Sequence, residues 1–322
     1  MNPLTHFLLP LGALVALATT PVSAAEKIEI KQRWVAGKHY FMSAQTAQTS
    51  TIEVGPQKID QSVTTTMDMS MAVRRTADGK GKRMTLKFER VAMEMSMNGQ
   101  KMGFDSAKPD AGTDPLGLAK SVGASAGKEI IVLLNDNDEI VEIENYEDFI
   151  KQVAPSPVPG MDPKTMFSKE SLGQMMKQGA LQSPPGKPVA PGDSWPFVNE
   201  VSLPQLGKVA VRGTYTFKGM TQHDGAATAE ILTDATLSLD FAASGADTSV
   251  QAQAIAKLGM KVTSGTLKGT IWFDPQLGMA RDAQLDQEMT ISMNNPTDPS
   301  ATLSVPMKQH ITTTLTKVED IK

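Results

Sequence analysis

Apolar and polar residues alternate with a period of two over long stretches of the chain. In residues 226–241 the odd positions are mostly apolar and the even positions mostly polar, and residues 279–293 and 302–315 repeat the pattern. Because successive residues of a strand point to opposite faces, this pattern predicts long strands with one apolar and one polar face. Such strands favour an antiparallel sheet that curls to hide its apolar face.

The phase of the alternation predicts which side chains are buried. Asp282, Gln284 and Asp286 fall on the polar face and are expected to be exposed. In residues 82–97 the apolar parity changes between Phe88 and Val91, where a β-bulge would return both halves of the strand to one face. The side chains expected to be buried include Leu237, Leu239, Phe241, Met289, Ile291 and Met293.

Short polar segments separate the predicted strands and predict hairpins. Asp78–Lys82, Asp224–Gly225 and Asp274–Gly278 contain the glycines that tight turns require, so the strands should follow one another as a meander. The acidic segment Asn135–Glu139 lacks the glycine and glutamate positions of a calcium-binding EF-hand loop. It therefore predicts a solvated turn.

The middle of the chain has a different pattern. Residues 145–153, beginning at a capping Asn145, and residues 163–179 have helical spacing, and a proline-rich segment follows at 183–198. The predicted fold is α+β and β-dominated: a strongly curved antiparallel meander sheet, or unclosed half-barrel, of about ten strands with two central helices against its concave face. The alternative is two β domains joined by the proline-rich segment.

The N-terminus has the features of a secretory signal peptide. An apolar run of 12 residues, Phe7–Ala18, precedes the small-residue sequence Val22-Ser23-Ala24. We expect cleavage near Ala24, and a periplasmic or secreted protein. Residues 25–322 would then form one β-rich domain with strands in 25–144, helices in 145–182, the proline-rich bridge, and strands in 199–322.

Charge and residue composition narrow the function classes. The net charge is −4 and no basic cluster stands out, so nucleic acid is not an expected partner. The mature chain has no apolar run long enough to span a membrane. Ser194 lies in a Gly-Asp-Ser sequence but follows prolines, and His39, His223 and His310 lack metal-type spacing and are expected at the surface. We expect neither an enzyme nor a cofactor.

Two runs of alternating methionines are the most unusual feature of the sequence. Met67, Met69 and Met71 should share one strand face, as should Met93, Met95 and Met97. Thioethers can bind Cu(I), but they also fill irregular cores and line adaptable pockets. A hairpin centred near residue 80 would place Met67 opposite Met93, which supplies too few sulfur ligands for Cu(I).

The function that these residues favour is an exported binding or carrier protein for an apolar or lipid-like ligand such as an acyl chain. The alternatives are a structural or envelope-interaction protein without a small ligand, and Met-based Cu(I) binding. No metal ligand is assigned. The candidate residues of the ligand pocket are Met67, Met69, Met71, Met93, Met95, Met97, Phe167, Met175, Met176, Leu239, Met289 and Met293.

Two resemblances accompany this interpretation. The segments "PVAPGDSWPF", "GTYTFKGM" and "GTIWFDPQLGMARDAQLDQEM" resemble a family of uncharacterised secreted bacterial proteins. The long meandering strands, central helices and export signal resemble the architecture of the LolA/LolB/LppX group of bacterial lipoprotein carriers. That resemblance implies an unclosed β-barrel that is covered by a helical lid and binds acyl chains inside.

Overall fold

A computed structural model describes residues 27–54, 57–108, 123–153, 172, 184–203, 207–240, 259, 261–294 and 302–321 of the chain. The described part is dominated by strands, as the alternation predicts. The strands are β1 (Lys38–Val54), β2 (Gln57–Arg75), β3 (Lys82–Met97), β4 (Gln100–Asp105), β5 (Glu129–Leu134), β6 (Ile140–Ile143), β7 (Ser194–Leu203), β8 (Gly207–His223), β9 (Ala226–Asp240), β10 (Lys261–Asp274), β11 (Met279–Asn294) and β12 (Thr302–Asp320).

The twelve strands form one unclosed, curved antiparallel sheet in the order β6-β5-β3-β2-β1-β12-β11-β10-β9-β8-β7, with β4 paired to β3. Each half of the sheet is a meander, because nearly all neighbours in space are also neighbours in sequence. The first and last strands join the two halves, with Lys38 opposite Asp320 and Ser50 opposite Met307. The described strands therefore belong to one sheet rather than to the two separate sheets of the alternative.

One of the two predicted helices lies in the described part. Helix α1 (Tyr146–Val153) packs its buried Phe149 and Ile150 against the sheet. Asn145 precedes it, but the Asn145 side chain bonds the backbone of β5, accepting from Ile131 N at 2.8 Å and donating to Glu129 O. The second predicted helix lies outside the described residues except for Leu172, which is helical and buried. No described helix is long and apolar enough to cross a bilayer.

The bulge predicted in β3 is present. Asp68 pairs with Arg90 and Met69 with Phe88, so Glu89 is the extra residue. Phe88 and Val91 consequently face the same side, which we call the inner face. On this face Gly269 approaches β11 so closely that a Cβ atom there would lie 2.0 Å from the Gln284 carbonyl oxygen. A glycine at this position therefore permits the close strand approach of the coiled sheet.

The inner face carries two adjacent hydrophobic cores at one end of the strands. The first contains buried residues of β1, β2, β3, β5 and α1, and the second contains residues of β7 to β11. The leading segment 27–37 runs along this end: Ile28 pairs with Val189, Ile30 enters the second core and Trp34 enters the first. We call this end of the sheet the closed end.

An ion pair lies at the rim of the closed end. Lys82 and Asp138 side chains are only 10% and 12% exposed, and their charged atoms are 2.6 Å apart. The Asp138 carboxylate also accepts a hydrogen bond from the Trp34 backbone N–H at 3.2 Å. Burial, together with the nearby Asp138 charge, raises the pKa of Tyr40, whose hydroxyl accepts a bond from Val35 N. The solvated turn predicted at 135–139 is present, with Asp136, Asn137 and Glu139 exposed, but the Asp138 side chain is largely buried by its ion pair.

The prediction that Asp282 is exposed was also wrong. Gln284 and Asp286 are exposed, but Asp282 is only 6% exposed although it lies on the polar, outer face. In the regular register of β10 and β11 Asp282 lies opposite Trp272, and His223 from the β8–β9 hairpin packs over the same site. Tertiary contacts on the outer face, rather than the parity of the strand, bury this carboxylate. Ile291, Met289 and Met293, expected to be buried, are half-buried.

Candidate functional site

The inner face changes from a closed core to a half-open surface along each central strand. In β2, Val73 and Met71 are 0% and 2% exposed, whereas Met67 is only half-buried. The same change occurs in β3 after Val91. We call the half-buried part the open strip; it consists of the inner-facing residues of segments 44–48, 63–67, 93–95, 285–293 and 307–311.

The open strip is mostly apolar, with a few threonines and glutamines, and it contains no charged side chain. Its methionines, leucine and isoleucines come from β2, β3, β11 and β12, while β1 contributes small and polar side chains. At its centre Gln309 lies opposite both Gln48 and Gln287 on neighbouring strands, which forms a row of three amides. An uncharged surface with a few amides is suited to a neutral ligand, because an unpaired charge is costly to desolvate there.

The structure distributes the predicted pocket residues over different environments. Met67, Met93, Met95, Met289 and Met293 belong to the open strip. Met69 and Met71 lie inside the closed core, and Met97 is 41% exposed at the end of β3. Phe167, Met175 and Met176 lie outside the described residues, and the side chain of Leu239 is likewise not described.

The predicted pairing of Met67 with Met93 was wrong. Met67 lies opposite Val91, and Met93 lies opposite Thr65. The turn is closed by the pair Arg75 and Lys82, so its centre lies before residue 80. The bulged Glu89 offsets only one position of the resulting error, so Met67 meets Val91 rather than Met93. Strand partners predicted from the centre of a turn are sensitive to its position, because an error in the centre moves the predicted partner by twice that error.

The amide row was missed at the sequence level. Gln287 and Gln309 occupy odd-numbered positions, which are otherwise mostly apolar in their strands. These two polar residues among apolar positions were the feature of the sequence that could have indicated the row. Their adjacency to Gln48 was not readable, because β1 and β12 are separated by most of the chain. Only the closing pair of strands brings the three side chains onto neighbouring positions.

The outer face holds a separate cleft of about 530 Å³ where β4 folds against β3, and its lining combines apolar residues with charged ones. Arg90 dominates its electrostatics: Nε and Nη2 each donate to an Asp105 oxygen at 2.9 Å, and Nη1 lies 3.7 Å from an Asp68 oxygen. The bonds from Arg90, supported by the Ala107 N–H, hold the pKa of Asp105 at about 2. This cleft contains charged side chains, unlike the open strip.

Replacing Arg90 by glutamine is expected to reduce stability in a pH-dependent way. The folded-state pKa of Asp105 lies below its unfolded value of about 4, so the pair stabilises the fold above pH ~4 and loses this effect as the pH falls towards 2. Because Arg90 is partly exposed, we expect a loss of about 1 kcal/mol at pH 7. Urea unfolding of both proteins from pH 7 to 2.5 measures this difference.

The matched control is Lys101→Gln, which removes a cation of the same cleft whose partner Glu94 is largely exposed. It should change stability by less than about 0.5 kcal/mol. An Arg90→Gln deficit that stays constant down to pH 2.5 would contradict the assignment to Asp105.

The fold and the open strip define a class: a single curved antiparallel sheet whose inner face is a closed core at one end and an uncharged, half-open surface at the other. Residues 79–280 match a family of unknown function, DUF6263, and the chain belongs to that family. The predicted membership of an uncharacterised family is thereby confirmed. A search among curated proteins gives no significant match.

Solved structures with some similarity include a lipovitellin described for its lipid–protein interactions, with 12% identity and a TM-score of 0.47. The alignment covers 90% of this chain but 26% of the lipovitellin chain. A DUF1329 family protein from Desulfovibrio piger and a putative outer membrane lipoprotein-sorting protein domain from Vibrio parahaemolyticus each have 8% identity, with TM-scores of 0.15 and 0.13. Each alignment covers 86% of this chain and 85% of the other. No site residue is transferred from these proteins.

Proposed function

We propose that the protein is an exported, non-catalytic binding or carrier protein for an uncharged, lipid-like ligand that lies on the open strip. The observation that supports this proposal is the half-buried, charge-free open strip on the inner face of the central strands. A large, mostly apolar surface of this kind is unusual on a protein that acts alone, and it marks a surface that is covered in function.

The side chains of the open strip suit a flexible apolar ligand better than a rigid one. Met67, Met93, Met95 and Met289 are unbranched and adapt to different shapes, whereas a closed core is specified better by branched residues. The thioethers would contact the hydrocarbon part of the ligand. The amide row of Gln48, Gln287 and Gln309 offers donors and acceptors for a neutral polar group such as an ester or a hydroxyl.

Export agrees with this role. The signal peptide expected over residues 1–24 would place the protein in the cell envelope or outside the cell, where lipids must be carried between membranes through water. The polar outer face keeps such a carrier dispersed, while the inner face shields the apolar ligand.

Native mass spectrometry of the protein purified from its own host without detergent tests the proposal. We expect a population heavier than the mature chain by the mass of one lipid, and organic extraction should release that lipid. Delipidated protein should then bind the neutral fluorescent probe N-phenyl-1-naphthylamine and release it when the extracted lipid is added back. A chain that carries no lipid and does not bind the probe would contradict the proposal and favour the envelope-interaction alternative.

A further inference from the structure

A cluster of potential metal ligands lies on the outer face, away from the open strip. Among the residues that the structure describes, His223, Asp224 and Asp282 form one group whose ligand atoms all lie within 4.8 Å of one another. His223 Nε2 is 3.1 Å from Asp282 Oδ2 and 3.6 Å from Asp224 Oδ2. The cluster joins residues 59 positions apart in sequence, which no local motif predicts.

The distances between these ligand atoms match those between two ligands of one tetrahedral metal ion. Zinc bonds to imidazole nitrogen and carboxylate oxygen at about 2.0–2.1 Å, so two ligands of a tetrahedral zinc ion lie about 3.3 Å apart. The two measured contacts of His223 Nε2 bracket that value. One neutral imidazole and two carboxylates also give the site a charge of about −2, which complements a divalent cation.

The surroundings fix two of the three ligands. The His223 ring stacks on Trp272, with the ring centres 4.1 Å apart and the planes 7° from parallel. Thr314 Oγ1 donates to Asp282 Oδ1 at 3.1 Å, which leaves Oδ2 directed towards the histidine, where Gln284 Nε2 also lies at 3.3 Å. Outer contacts that hold a ligand in one orientation are typical of metal sites.

The third ligand comes from the hairpin tip. Asp224 and Gly225 both have positive φ and form the two-residue loop between β8 and β9. The Asp224 side chain is 76% exposed, so the cluster is open to solvent on that side. A cation could therefore enter without unfolding, and water could complete its coordination.

We propose that His223, Asp224 and Asp282 bind one divalent transition-metal ion, with Zn²⁺ the best match. The bound ion would link the β8–β9 hairpin to β11 beside Trp272 and so stabilise the outer face of the sheet. This site is independent of the ligand proposed for the inner face.

Competition of the untagged mature chain with a fluorescent zinc chelator tests the site. We expect one Zn²⁺ per chain with a Kd below about 10 µM, and a weakening of at least about 30-fold in His223→Gln and in Asp282→Asn. Asp224→Asn, an exposed change that does not disturb packing, should weaken binding about 10-fold. Co²⁺ should give a visible absorption band typical of nitrogen and oxygen ligands, which these variants lose.

The control is His310→Gln. His310 Nδ1 contacts Asp286 Oδ1 at 2.7 Å on the same outer face, but it belongs to no three-ligand group in the described residues. This variant should bind Zn²⁺ as the unmodified chain does. Stoichiometric binding that survives both Asp224→Asn and His223→Gln, or a Kd for Zn²⁺ weaker than about 100 µM in the unmodified chain, would overturn the proposal.

Discussion

Replacing Met67 by glutamate should weaken the binding of N-phenyl-1-naphthylamine, and of the native lipid, by at least about 30-fold, or about 2 kcal/mol. Met67 belongs to the open strip at its border with the closed core, and none of the described residues of that strip is charged. A bound apolar ligand would bury the new carboxylate without compensation, so the ligand must leave or the carboxylate must become protonated. Fluorescence titration of the delipidated protein at pH 7.5 measures the loss.

Thr66→Glu is the matched control for this variant. Thr66 is the neighbouring residue of the same strand, and its side chain points to the outer face, where it lines the cleft with Arg90. The same added charge at that position should leave probe binding within about twofold. Equal loss in both variants would show that the charge acts through folding, and no loss in Met67→Glu would place the ligand away from the open strip.

Asp138→Asn should lower the free energy of unfolding by about 3 kcal/mol at pH 7. The change leaves the Lys82 ammonium, which is only 10% exposed, without its counter-charge. It also weakens the acceptor of the Trp34 N–H, which holds the leading segment against the closed end. Asparagine is the appropriate replacement because Asp138 has a φ of 64°, a conformation that asparagine tolerates well. Urea unfolding measures the loss.

Asp136→Asn provides the control two residues away. Asp136 pairs with Arg75, but both side chains are more than half exposed, so the expected loss is below about 0.5 kcal/mol. Adding Lys82→Met to Asp138→Asn should restore part of the stability, because no buried charge then remains unpaired. Equal effects of Asp136→Asn and Asp138→Asn would contradict the role of the rim ion pair.

Much of the fold could be predicted because its signals are local. The alternation of apolar and polar residues predicted long strands, the turn residues predicted hairpins, and the parity change at Glu89 predicted the bulge. The absence of charged side chains from the open strip follows from the same alternation, since the charged residues in that part of the central strands occupy the polar positions.

The division of the inner face into a closed core and an open strip was not predictable in this way. Met69 and Met67 have the same parity and the same chemistry, yet only Met69 is fully buried. The difference depends on which parts of the chain cover each end of the sheet. Trp34 and Phe149 belong to the core that covers Met69, and both come from segments distant in sequence.

The sequence by itself determined the strands, their apolar face and the position of the bulge, because these depend on residue spacing and on steric preferences within a few residues. The tertiary structure decided the pairing of β1 with β12, the row of Gln48, Gln287 and Gln309, and the burial of Asp282 beside His223. These features depend on contacts between residues far apart in the chain. A period-two pattern tells which face a side chain joins, but only the assembled sheet determines what lies opposite it.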